Sequence, residues 1–233
     1  MRPYRTLTLL ALIALLGGCA AVRSVSDDPS PTASTPTTTD GLTTPTMARL
    51  ELSGEPHATR GDPAAPVTMI EFSDYGCPFC RAYANDTFPE LKQRYIDSGK
   101  LFYVFKDFPI VELHPQAPLA AEAAECAGAQ GRYWEMHERL FAAPEEWSAS
   151  PDTARATFRG YADELQLDTA AFQQCLDNGR FRANVELNVT EALRLGFTGT
   201  PTFIIQDTLL SGAQATQVFT GLVERKLKEQ ATP

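Results

Sequence analysis

Basic charge is what this sequence has least to spare. Its 20 Lys and Arg residues face 29 Asp and Glu, a formal net charge of −9, and no long Lys/Arg cluster appears anywhere. Phosphate binding wants a basic face, so a nucleic-acid partner is excluded. Histidine is scarce too. His57, His114 and His137 are scattered, and no second Cys-X-X-Cys or His pair accompanies Cys77 and Cys80 to complete a four-ligand zinc site, so no metal is expected. Long apolar runs are also missing: the stretch Leu7 to Leu16 is too short to span a bilayer comfortably. What remains, 233 residues with 43% hydrophobic content, suffices for one substantial domain, with or without an insertion.

The short apolar run has its own meaning. Arg2 and Arg5 precede it and small residues follow it, the pattern of a signal peptide. The string Leu16-Gly17-Gly18-Cys19 resembles a bacterial lipoprotein cleavage box. That resemblance implies a lipidated Cys19 at the end of a signal peptide spanning 1–19. Residues 20–50 are dominated by Ser, Thr, Pro and Asp and have too few large apolar side chains to offset the entropy of ordering. They are expected to be a disordered tether. The folded domain is then expected over 51–233.

Setting Cys19 aside leaves Cys77, Cys80, Cys126 and Cys175, an even set in a compartment where disulfides persist. Three connectivities can be drawn. Only the Cys77 and Cys80 spacing is local, so the economical assignment pairs Cys126 with Cys175. Val67 to Ser73 (VTMIEFS) suits a buried strand, and Pro78 suits the first turn of a helix that runs to about Asp97. The thiol pair thus falls at a strand-to-helix junction. Leu101 to Lys106 reads as a second strand, completing a β-α-β unit. Helical patterns at 117–129, 131–142, 152–165, 168–178 and 181–195 form an insertion over about 114–196. A hairpin over Thr202 to Gln206 and Leu209 to Ser211 and a last helix from about Ala213 to Glu229 close the chain, so the fold class is α/β with a mixed sheet.

Four strings in order, FSDYGCPFC at 72–80, KDFP at 106–109, AAEAAECAGAQGRYWEMHERLF at 120–141 and TGTPTF at 198–203, resemble the DsbA-like disulfide oxidoreductases. That family has a thioredoxin fold with an inserted helical domain, and the resemblance covers about residues 55–230. It implies that Thr200-Pro201 is the cis-proline loop that presents backbone to an extended substrate, with Thr200 tuning redox behaviour. An ordinary trans proline before a strand is the alternative. It also implies that Glu71, six residues before the first cysteine, is a buried acid able to exchange a proton with Cys80. Strand alternation agrees, placing Val67, Met69, Glu71 and Ser73 on one face and Thr68, Ile70 and Phe72 on the other. Lys106 could instead neutralise Glu71 as an ion pair.

A thiol at a helix N-terminus is stabilised as thiolate by the helix dipole and free N–H groups, which makes Cys77 the attacking residue and Cys80 the resolving one. A purely structural Cys77–Cys80 disulfide is the competing reading, but so short a loop restricts the unfolded chain little. Cys126 and Cys175 are read as a structural disulfide, with a second redox pair as the alternative. Trp134, His137 and Phe141, at helical spacing, are read as packing, and His114-Pro115 as the start of a helix. The function expected is a dithiol oxidase for secreted proteins, monomeric, needing no cofactor, anchored by lipid on the periplasmic or outer face of a bacterial membrane. Reoxidation by a quinone-linked membrane partner is implied by the resemblance. The dipeptide Pro78-Phe79 lacks the charged histidine of strongly oxidising members, so a reductase drawing on a thiol reductant, or an isomerase, is the runner-up. A non-catalytic peptide-binding lipoprotein is the reading from another class.

Overall fold

The computed structural model describes residues 58–231. The expected signal peptide, Cys19 and the tether over 20–50 lie outside the described residues. Among the described residues five strands form one sheet: β1 (Thr59–Arg60), β2 (Val67–Ser73), β3 (Leu101–Asp107), β4 (Thr202–Ile205) and β5 (Thr208–Ser211), in spatial order β1-β3-β2-β4-β5. Strands β2 and β3 are parallel and every other pairing is antiparallel. This is a thioredoxin fold with a mixed sheet.

The period-two pattern of β2 divides the core as the alternation predicts. Val67 and Met69 join a large cluster with Leu101, Tyr103 and Phe105 of β3, while Ile70 and Phe72 join a smaller one with Phe102 and Val104. Burial on both faces explains why these strands read as near-continuous apolar runs. Strand β1 escapes sequence reasoning because it is two residues long. It is held from outside the sheet: Trp134 Nε1 donates to the Thr59 carbonyl at 3.0 Å, and the Arg60 guanidinium lies 4.5 Å from the Trp134 ring centroid.

After β2 the chain enters α1 (Pro78–Ala82), passes through a π-helical turn (Tyr83–Thr87) into α2 (Phe88–Leu91), and ends in a second π turn (Lys92–Ile96). A continuous helix is expected from the apolar spacing, but Pro89 cannot donate an N–H and its ring would strike the carbonyl four residues back. The π turn absorbs this, with Phe88 N–H donating to Tyr83 O.

Between β3 and β4 the chain is helical: α3 (Ala117–Gly128), α4 (Tyr133–Ala142), a short 3-10 turn (Pro144–Glu146), α5 (Pro151–Glu164), α6 (Thr169–Asp177) and α7 (Arg182–Arg194). Ser150 and Asp168 cap α5 and α6 by accepting from Thr153 N–H and Ala171 N–H. The last helix, α8 (Thr216–Ala231), starts three residues later than the pattern suggests, because Gly212 turns at φ +79° and donates its N–H to Pro201 O.

Cys126 of α3 and Cys175 of α6 are joined by a disulfide across 49 residues of chain. By the chain-entropy relation a loop of that size restricts the unfolded chain by about 4 kcal/mol. The double variant Cys126→Ala/Cys175→Ala is therefore expected to unfold at lower urea, with a loss of about 4 kcal/mol. An unchanged midpoint would show that the link does not brace the helices.

Candidate active site

Cys77 is the N-cap of α1, in extended conformation (φ −77°, ψ 123°), with Pro78 at the first helical position. A cap residue holds its side chain over the unsatisfied N–H groups of the first turn. Cys77 and Cys80 are both free thiols, Cys77 5% exposed and Cys80 fully buried. The flanking Phe79 is 66% exposed.

The environments of the two sulfurs push them apart. The Cys80 thiol lowers Cys77 most, the Thr200 side chain and the backbone N–H groups of Cys80 and Phe79 lower it further, and burial opposes; the result is a pKa of about 6. Cys80 is pushed well up, first by burial, then by its hydrogen bond to Cys77 and the negative charges of Cys77 and Glu71. One cysteine is built to be thiolate and its partner to stay protonated.

The Thr200-Pro201 peptide bond is cis, and the Thr200 carbonyl accepts from Cys77 Sγ at 3.4 Å. The loop therefore lies directly against the outer cysteine. Residues 196–202, with Leu209, Ser211 and Gly212, line an open cavity of about 270 Å³ beside it.

Glu71 is 1% exposed and is raised to about 7, chiefly by burial, with the Ser73 and Tyr103 side chains lowering it and the charge of Cys77 adding to the rise. The Tyr103 hydroxyl donates to one of its carboxylate oxygens, and the other has no hydrogen-bond partner among the described residues. Lys106 does not pair with it, which corrects the ion-pair expectation. Parallel register sets Glu71 opposite Phe105, so Lys106, one residue on, belongs to the other face, where its Nζ meets Glu191 of α7. Tyr103 was missed, although the same alternation could have found it: it shares the Glu71 face with Leu101 and Phe105.

Two further surprises lie in the turn before Cys77. Tyr75 OH is 3.0 Å from His137 Nδ1, and burial drives His137 down to about 3, so this ring stays neutral among Tyr75, Phe105 and Phe141. His114 does not start a helix, as its Pro115 neighbour suggests; α3 begins at Ala117 and the ring sits 2.8 Å from Asp74.

The family model described as "Thioredoxin" matches residues 53–225. Among solved structures, alpha-DsbA1 of Wolbachia pipientis superposes with a TM-score of 0.67 at 26% identity, over 75% of this chain and 92% of that one. BdbD of Bacillus subtilis, oxidised, superposes at 0.63 with 26% identity over 73% and 92%. Disulfide bond formation protein D of Bacillus subtilis is 28% identical over 76% of this chain and 82% of its own length. Na(+)/H(+) antiporter NhaA 1 of Salinispora arenicola is 36% identical over 63% of this chain, and the chain spans only 21% of that antiporter's length.

Two titrations check this electrostatic picture. Alkylation of Cys77 should rise with pH around a midpoint of about 6, and a midpoint like that of a free cysteine would contradict it. A carboxyl raised in the folded state stabilises fully below its unfolded pKa and loses that contribution as pH rises through the folded value. Glu71→Gln should therefore match the wild type in stability near its ordinary value of 4.5 and gain on it up to pH 8. The gain is at most about 3 kcal/mol by urea unfolding.

Proposed function

The chain belongs to the thioredoxin family, and we propose that it is an extracytoplasmic thiol-disulfide oxidoreductase working as a dithiol oxidase. The observation that carries this reading is the opposed tuning of Cys77 and Cys80 at one helix N-terminus. In the oxidised form a thiolate of the incoming protein attacks Cys77 Sγ, breaking the Cys77–Cys80 bond. Cys80 leaves with the electron pair and takes a proton. Glu71, with a pKa near the working pH, is suited to give that proton and to accept it back in the reverse step. The incoming protein's second thiolate then attacks its own sulfur in the mixed disulfide, and Cys77 departs as the stabilised thiolate. Two electrons have moved from the protein dithiol to the enzyme, which needs no dissolved cofactor.

The groove beside Thr200 and Pro201 suits an extended segment of the incoming protein, whose backbone can reach the loop lying on Cys77. The apolar run Leu7 to Leu16 and the Leu16-Gly-Gly-Cys19 box support export and a lipid anchor on Cys19, placing the domain on the oxidising side of a membrane. Among the described residues no helix is long and apolar enough to cross a membrane. A membrane-held oxidase, quinone-linked, would restore the Cys77–Cys80 disulfide. The Cys126–Cys175 link takes the structural role.

Phe79 favours a second reading. It brings no charge to the thiolate where strongly oxidising relatives carry histidine, and a reductase drawing on a thiol donor would use the same atoms in reverse.

The test uses the oxidised chain, reduced unfolded ribonuclease and the Cys80→Ala variant. The oxidase reading expects disulfides to appear in the ribonuclease, none with Cys77→Ala, and mixed disulfides to accumulate on Cys80→Ala. Glu71→Gln should slow turnover at least about tenfold. Transfer that runs only from the reduced chain to a protein disulfide would make it a reductase. Binding of the protein without any exchange would leave only a peptide-binding role.

A further inference from the structure

The Asp74 side chain is fully buried and satisfies three donors from two separate parts of the chain. Its Oδ1 accepts from Gly76 N–H at 2.7 Å, in the turn that leads to Cys77. Its Oδ2 accepts from Ile110 N–H and from His114 Nδ1–H, both at 2.8 Å, in the loop after β3. The Asp74 backbone carbonyl accepts from Cys77 N–H at 3.0 Å, so one residue holds the N-cap cysteine through its main chain and the neighbouring loop through its side chain. The contact with His114 is close: a Cβ on Gly76 would come within 2.6 Å of His114 Cβ and 2.7 Å of its Cγ. Glycine at 76 is what lets the His114 side chain pack directly against the turn.

From this geometry we infer that Asp74 and His114 form a clasp that positions Cys77 for thiol exchange, a role that deepens the oxidoreductase reading above. The Cys77 thiolate is favoured first by the Cys80 thiol and then by the Thr200 side chain and the N–H groups of Cys80 and Phe79, contacts that require Cys77 to stay extended at the helix end. The clasp ties the turn that enters α1 to the loop after β3 and so fixes that conformation from outside the helix. It also holds Leu113, 68% exposed, beside the turn, where with Gly76 and Trp147 it borders a cavity of about 290 Å³.

Removing the imidazole and removing the carboxylate distinguish positioning from plain charge. His114→Ala frees the loop and leaves Asp74 without its cationic or dipolar partner. Asp74→Asn breaks part of the clasp but deletes a negative charge, which acting alone would favour the Cys77 thiolate. If the clasp positions Cys77, both variants raise the midpoint of Cys77 alkylation, by about half a pH unit, and slow the reaction roughly two- to threefold at pH 6. His114→Asn, whose amide N–H can take the place of Nδ1–H, should restore both. Circular dichroism establishes that each variant is folded before its thiol is titrated.

A midpoint that moves down in Asp74→Asn while moving up in His114→Ala would replace the clasp by an electrostatic effect. Folded variants with lower thermal stability and an unmoved midpoint would make the contact merely structural. Exchange of the wild type with glutathione disulfide, run in parallel, tests the oxidoreductase reading separately, since the alkylation titration reads the clasp whether or not the wild type exchanges.

Discussion

Everything around the site depends on one sulfur being held at the start of a helix, where the Cys80 thiol first, and then the Thr200 side chain and the N–H groups of Cys80 and Phe79, favour its charge. Those N–H groups are free because the first turn of α1 has no preceding residues to bond to. A thiolate there costs little, whereas the same charge on Cys80, one turn further in and without exposure, costs a great deal. The parallel β2–β3 pair delivers the chain to that helix end, and the cis-proline loop closes over it from β4. The aromatic packing of Tyr75 against His137 and Phe105 keeps the intervening turn from shifting.

A second constraint follows from the first. On the proposed mechanism a buried cysteine that leaves as thiolate needs a proton nearby, and a carboxyl that supplies it cannot be an ordinary solvated acid. Burial of Glu71 on the larger core cluster's face of β2 raises it to about 7, while the Ser73 and Tyr103 side chains keep it from rising further. The arrangement costs stability at neutral pH, a cost that the proposed proton-exchange role would account for and packing alone would not.

Much of this was legible in the residues. Cys-Pro-Phe-Cys after a β-branched run placed the thiols at a strand-to-helix junction, and period-two alternation put Glu71 with Val67 and Met69 on the large-core face. The helices of the insertion followed from their 3.6-residue spacing and their Gly, Pro, Ser and Asp breaks. What failed was non-local. Lys106 was a tempting partner for Glu71 because both lie near the ends of neighbouring strands, but the parallel register that turns them to opposite faces is a tertiary fact. Asp74 and His114 are 40 residues apart, and nothing in local periodicity announces a contact between a turn and a loop. The π turns around Pro89 were hidden for another reason: the apolar spacing stays helical while the hydrogen-bond register slips.

The reduction potential of the Cys77–Cys80 pair, measured by equilibrating the chain with glutathione buffers, tests the central claim most directly. If the helix end stabilises the reduced form through the Cys77 thiolate, the potential should lie toward the oxidising end, nearer about −120 mV than about −270 mV. A value at or below about −270 mV, or a pair that never exchanges at any glutathione ratio, would contradict the account.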